Sequence, residues 1–201
     1  MLNARSKPIA LCRRTLLPAF ACAAVLLMLG CTDFGKVQQG RVVAYDHQNG
    51  IVTLIPSSAL GSEKASPIAV KIPQDPKEMG PAPEAGKRLL FDTQNKKLVV
   101  FDAAAGAIKT FGYTPVVELT NVASDDKQVK GVKFPVIDRE KKTITLYSSR
   151  DKKLITFTVA DEYFSLPEDT WKAGDDIRYY FKQPGQALRM MNVTKTNVMK
   201  G

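Results

Sequence analysis

Histidine and cysteine are almost missing from this 201-residue chain. There is one histidine, His47, and all three cysteines, Cys12, Cys22 and Cys31, lie near the N-terminus. From Thr32 onward there is no thiol nucleophile, no disulfide and no metal site built on Cys or paired His. His47 stands in Asp46-His-Gln-Asn-Gly50, a predicted turn. A turn is a poor place to fix a general base, so Ser-His-Asp or Cys-His machinery is not expected. No glycine-rich loop opens a helix, and there is neither a Walker-type lysine nor a dinucleotide fingerprint. Met190 and Met191 are adjacent in a predicted strand and point to opposite faces, so they do not pair around Cu(I). Asp46, Asp92 and Asp138 recur where hairpins turn, and an aspartate there caps its own backbone, which accounts for them without paired-carboxylate chemistry. No catalytic residue, metal or cofactor is expected, and the chain reads as a non-enzyme.

The one long apolar run, Thr15 to Leu29, falls short of the ~20 residues a membrane span needs. Arg5, Lys7, Arg13 and Arg14 precede it, with no acid among them, and Met28-Leu29-Gly30-Cys31 follows. This order resembles the signal peptide and lipobox of bacterial lipoproteins. The resemblance implies an N-terminal signal helix over residues 1–30, cleaved after Gly30. It implies a diacylglycerol thioether on Cys31, an acyl chain such as palmitate on the new amine, and a short tether over residues 31–39. The implied location is the cell envelope, on the periplasmic face and held to the membrane through Cys31. Thr32, rather than Asp, after that cysteine favours the outer over the inner membrane. The implied partners are the membrane itself and another envelope protein or the cell wall.

Charge of one sign is also scarce once that segment is removed. Losing its four cations takes the formal charge from +9 to +5, with the remaining charges mixed in sign. A surface of this kind gives no support to nucleic-acid binding.

What remains is dense in strand signals. "GRVVAYDHQNGIVTL" (40–54) and "GKRLLFDTQNKKLVV" (86–100) are nearly one sentence written twice. Asn-Gly between β-branched runs predicts a hairpin from 41–46 and 51–56. Further hairpins are predicted for 87–91 with 98–101, 132–137 with 143–147, and 176–181 with 187–192. Single strands are predicted at 67–72, 154–159 and 116–119. Two polar connections, 73–86 and 160–174, both end in Ala-Gly. The matching order of elements predicts an all-β chain of two tandem five-stranded antiparallel barrels, OB-like or SH3-like. The first covers 40–110 and the second 127–201, with a linker over 111–126. The second half resembles small periplasmic barrels in the pattern carried by Gly131, Asp138, Thr143 to Leu146, Gly174, Asp175, Ile177 and Arg178. The mature part as a whole resembles lipoproteins of uncharacterised domain families.

Aromatic residues crowd the second half. Aromatic faces on OB-like barrels bind ligands by stacking. Trp171, Arg178 and Tyr180, with Tyr163 at the rim, form the candidate face. The functional expectation is a membrane-anchored binding or adaptor module for another envelope component. The alternative is a module binding cell-wall glycan or a small ligand through that face.

Overall fold

A computed structural model of the chain describes residues 34–60 and 66–196; the expected signal helix, its cleavage point and Cys31 lie outside the described residues. The strands are β1 (Lys36–Asp46), β2 (Ile51–Pro56), β3 (Ile68–Lys71), β4 (Arg88–Asp92), β5 (Lys97–Asp102), β6 (Ala107–Gly112), β7 (Thr114–Leu119), β8 (Val136–Asp138), β9 (Thr143–Ser148), β10 (Lys153–Thr158), β11 (Asp176–Phe181) and β12 (Arg189–Asn192). Among the described residues helix is confined to one turn at Asp161–Phe164 and three short 3-10 turns.

All four predicted hairpins form: β1–β2, β4–β5, β8–β9 and β11–β12. A shared turn chemistry builds several of them. Asp46 Oδ1 accepts hydrogen bonds from the backbone of Gln48 and Asn49, and Asp92 Oδ1 from Gln94 and Asn95. Asp102 does the same for Ala104 and Ala105, and Asp138 for Lys141. Four residues after each aspartate the chain passes through positive φ, at Gly50 (63°), Lys96 (53°), Gly106 (62°) and Lys142 (50°). The written repeat is therefore in large part a repeated turn. Hydrogen bonds in these turns hold the Asp46, Asp92, Asp102 and Asp138 carboxyls below the usual aspartate range, with the Asn49 side-chain amide the largest contributor at Asp46 and the Lys109 ammonium at Asp102.

The strands form three antiparallel sheets with the orders β12-β11-β1-β2-β3, β4-β5-β6 and β7-β10-β9-β8. They stack as layers, with the three-stranded sheet in the middle. Leu98 and Val100 of β5 pack with Ile144, Leu146, Ile155 and Phe157 of the four-stranded sheet. Val99 and Phe101, on the opposite face of β5, pack with Val43, Ile55 and Leu89. An unbroken apolar run such as Leu-Val-Val-Phe is what a strand buried on both faces requires. The five-stranded sheet has its own core on its other face, built on Val42, Leu54, Val70, Ile177 and Met190. Residues Val122 and Val129, in the loop before β8, pack with Leu154 of the four-stranded sheet.

Two tandem barrels are not what forms. From Gly35 onward the described residues make one compact unit, and its sheets cut across the predicted boundary between the copies. β1, from the first half, pairs with β11, from the second, over Lys36↔Phe181 to Arg41↔Asp176. The two halves are also unlike in structure. Gly40 lies inside the 11-residue β1, whereas Gly131, its supposed counterpart, sits in a turn at φ 78°, and β8 spans only Val136–Asp138. The five-stranded sheet curls until the end of β3 meets the β11–β12 connection at one parallel bridge, Lys71↔Gln186. There Lys71 N donates to Gly185 O and Ala187 N to Lys71 O. It does not close into a barrel.

The two Ala-Gly connections converge rather than repeat. Gly86 N donates to Val42 O (3.2 Å), Val42 N to Asp175 O (2.9 Å) and Asp175 N to Glu84 O (2.9 Å). A Cβ on Gly174 would lie 1.9 Å from Val42 O, and one on Gly86 2.4 Å from Lys172 O. Both positions are glycine because three backbones cross here with no room for a side chain.

Candidate functional site

The predicted aromatic face divides. Trp171 is 1% exposed, with its ring edge-on to Phe111 at 5.9 Å in the core between the middle and four-stranded sheets. It is a core residue and presents no surface to a ligand. Tyr163, on the one-turn helix, stacks on Phe111 at 4.3 Å and borders a shallow groove with Ile108, Lys109 and Glu162. Arg178 and Tyr180 lie elsewhere, on the five-stranded sheet, and do come together. Successive residues of a strand face opposite ways, and the register places Val37 opposite Tyr180, Tyr180 opposite Arg189, and Arg178 opposite both Gln39 and Met191. These six side chains share one face. Val37, Met191, Tyr180, Arg178 and Arg189 line a shallow hollow of about 390 Å³ there.

The same face continues along β1 to Arg41, whose guanidinium grips Asp176 through two bonds, Nε to Oδ1 at 3.1 Å and Nη2 to Oδ2 at 2.6 Å. At this point the middle sheet begins to cover the face, and a polar cleft of about 640 Å³ opens between them. Arg41 and Asp176 form one wall, Arg88 and Phe91 another, and Ser148, Ser149 and Arg150 at the β9–β10 turn form the rim.

Arg88 is the chemically distinctive residue of the cleft. Its Nε donates to Trp171 O at 2.9 Å, and its guanidinium carbon lies 5.5 Å from the centre of the Phe91 ring. Among the described residues it has no carboxylate within ion-pair distance, whereas Arg41 is paired with Asp176 and Lys87 with Asp169. Burial pushes Arg88 down to about 10, and the charge of Arg41 acts in the same direction. The nearby carboxylates are engaged. Asp175, buried, accepts from Glu84 N (2.9 Å) and Asn192 Nδ2 (2.8 Å). Asp151 accepts from Ser148 Oγ (2.9 Å) and Thr93 Oγ1 (3.3 Å). A partly desolvated guanidinium without a counter-ion, facing a cleft rimmed by hydroxyls, is arranged to receive an anion. Sequence reasoning passed over Arg88 and Arg41. The only signal was the Gly-Arg and Gly-Lys-Arg openings of the repeated stretch.

Among the described residues no group of three or more His, Cys, Asp or Glu side chains is placed to hold a metal ion, and no helix is long and apolar enough to cross a membrane. Among curated proteins and among solved structures, none matches the chain. A family model described as Domain of unknown function (DUF4881) matches residues 33–201, from just before β1 to the C-terminal residue. The three stacked sheets, and the cleft that lies between two of them, therefore fall within a single family domain, and the chain belongs to the DUF4881 family.

Proposed function

We propose that this chain is a non-enzymatic binding module of the bacterial envelope, lipid-anchored through Cys31, that captures an anionic group of an envelope component in the cleft around Arg88. The observation that carries this reading is Arg88, a partly buried guanidinium with no acidic partner among the described residues, beside Arg41. Holding an unneutralised cation away from water opposes folding. A carboxylate or phosphate arriving in the cleft would supply the missing counter-charge through charge-assisted hydrogen bonds. The anchor half of the reading rests on the n-region, apolar run and Met28-Leu29-Gly30-Cys31 order. The five-stranded sheet, with its Greek-key order and the bridge Lys71↔Gln186, is in this reading an opened OB-like module whose third-to-fourth connection has grown into the other two sheets. A glycan-binding role would have to use the Arg178–Tyr180 face without Trp171 or Tyr163.

Thermal unfolding of the full chain in inorganic phosphate, against chloride at matched ionic strength, tests the cleft. A ligand at about ten times its Kd stabilises by RT ln(1 + [L]/Kd), a Tm rise of roughly 3–6 °C for a domain of this size. The wild type should show the rise and Arg88→Met should not. An equal rise in both variants would place any anion elsewhere and end the cleft reading. Metabolic labelling with palmitate, lost in Cys31→Ser, tests the anchor separately.

A further inference from the structure

The long strand β1 presents a single face to two environments. Its C-terminal half, at Val43, is covered by the middle sheet, and Arg41 marks the boundary at the cleft. Its N-terminal half is bare: Val37 is 64% exposed and Met191, two strands away on the same face, 38%. Tyr180 lies between them. Apolar residues on an isolated protein surface are ordinary when single, but a contiguous group framed by cations is a mark of an interaction site.

We propose that this face rests on the surface of an anionic phospholipid bilayer, with Val37, Tyr180 and Met191 entering the headgroup layer and Arg178 and Lys182 reaching the phosphates. The proposal rests on the anchored reading above and extends it to the orientation of the domain. Three observations choose a bilayer over a protein partner. The bare face ends at the N-terminus of β1, and Cys31 is five residues before Lys36, a reach of at most roughly 18 Å when extended. An acyl chain on Cys31 would hold this end of the sheet, and no other, against the membrane. The charge is complementary. Among the described residues Arg178 bonds only to Gln39 Oε1, at 3.1–3.3 Å, and Lys182 enters no ion pair; Arg189 is held by Glu78 and frames the patch without being free to leave it. The residue types are those that suit an interface, with a tyrosine and long cationic side chains around aliphatic ones. In this orientation the Arg88 cleft, farther along the same face, opens sideways beside the membrane surface, where a ligand's anionic group can approach from the bilayer side.

The test places a nitroxide label on the full chain at Met191→Cys, at Val37→Cys, or at Lys141→Cys on the β8–β9 turn as a distant control. The protein is reconstituted in phosphatidylcholine vesicles with or without phosphatidylglycerol. Accessibility of each label to oxygen, which concentrates in the bilayer, is compared with accessibility to a water-soluble nickel complex. The ratio at 191 and 37 should rise several-fold in vesicles containing phosphatidylglycerol and stay at the solution value at 141. Arg178→Gln with Lys182→Gln should remove most of the rise while leaving Tm unchanged. Labels at 191 and 37 that remain as water-exposed as the control would overturn the proposal. So would labels shielded equally in detergent before any bilayer is added, which would mean that protein covers the face. The mass of the Cys31 peptide, read on the same sample, decides the anchored reading by itself, because the labels report contact whatever holds the chain to the vesicle.

Discussion

Replacing Gly174 with alanine should open the seam that joins the three sheets, and the structure sets the scale. The new Cβ would fall 1.9 Å from Val42 O and 2.9 Å from Val42 C. Non-bonded carbons sit at about 3.5–4.0 Å, so one of the two segments must withdraw by roughly an ångström or more. Val42 cannot yield readily, because its side chain is fully buried among Leu54, Val70 and Ile177. The 172–175 segment must therefore move, and it carries Asp175 N→Glu84 O and accepts Val42 N→Asp175 O, while Gly86 N→Val42 O crosses the same point. Three backbone bonds at ~1 kcal/mol each give a loss of about 3 kcal/mol, and a buried carbonyl left unpaired would add ~1–3 kcal/mol.

Urea unfolding of the full chain reads this directly. Trp171 is the one tryptophan and is buried beside the seam, so its fluorescence follows the transition. Gly106→Ala is the control. Its φ of 62° is strained for alanine, but nothing lies within 4 Å of the added Cβ, so the loss should stay near ~1 kcal/mol. Gly86→Ala should resemble Gly174→Ala, and the double variant should lose less than the sum, since both open one contact. Losses at 174 no larger than at 106 would refute the claim that these glycines exist for close backbone approach.

Trp171→Ala should cost about 3–5 kcal/mol, as for other buried aromatics, seen by circular dichroism, whereas Tyr180→Ala should change stability by less than ~1 kcal/mol because its side chain meets solvent. Arg88→Met should abolish the phosphate-induced Tm rise and leave the unliganded protein about as stable as wild type, because removing a partly buried charge with no acidic partner among the described residues offsets the loss of its bond to Trp171 O; a large destabilisation would show the guanidinium to be structural. Glu84 accepts hydrogen bonds from Lys195 and Lys172, which hold its carboxyl down to about 2 from an ordinary 4.5. A depressed acid stabilises the fold above the unfolded value, and that contribution is lost as pH falls from about 4.5 through about 2. The pair is exposed and screened, so Glu84→Gln should be less stable at neutral pH by at most ~1 kcal/mol and should converge with wild type near pH 2 in a urea series.

Local structure was legible because turn chemistry is local. Asp-His-Gln-Asn-Gly and Asp-Thr-Gln-Asn-Lys carry within five residues everything that folds them, and the hairpins formed where the alternation placed them. β6 was not foreseen. Its turn, Asp102-Ala-Ala-Ala-Gly106, has the same aspartate and positive-φ glycine as the first hairpin but lacks the Asn-Gly pair that draws attention. The pairing of hairpins into sheets was not legible, because hairpins of similar pattern compete for the same edges. One clue pointed to the outcome. A Leu-Val-Val-Phe strand with no polar alternation is unsuited to a barrel wall that meets solvent, and it belongs between two layers.

The repeated Ala-Gly pair shows how a true signal led to the wrong architecture. Gly86 and Gly174 each end a polar connection before a strand, which is how tandem copies would look. Yet convergence at one crossing produces the same signature, since each glycine is demanded by the backbone of the other connection and of Val42. The cleft was hidden by the same logic. Arg41 and Arg88 look alike in sequence, one and two residues after a glycine at the start of the repeated stretch. They become different only through partners far along the chain: Asp176 neutralises Arg41, while Arg88 meets a backbone carbonyl, Trp171 O, and no acid among the described residues. A candidate site that consists of a missing counter-ion leaves no residue type to find in the sequence. It comes into view only when every neighbouring carboxylate has been traced to the bond that already occupies it.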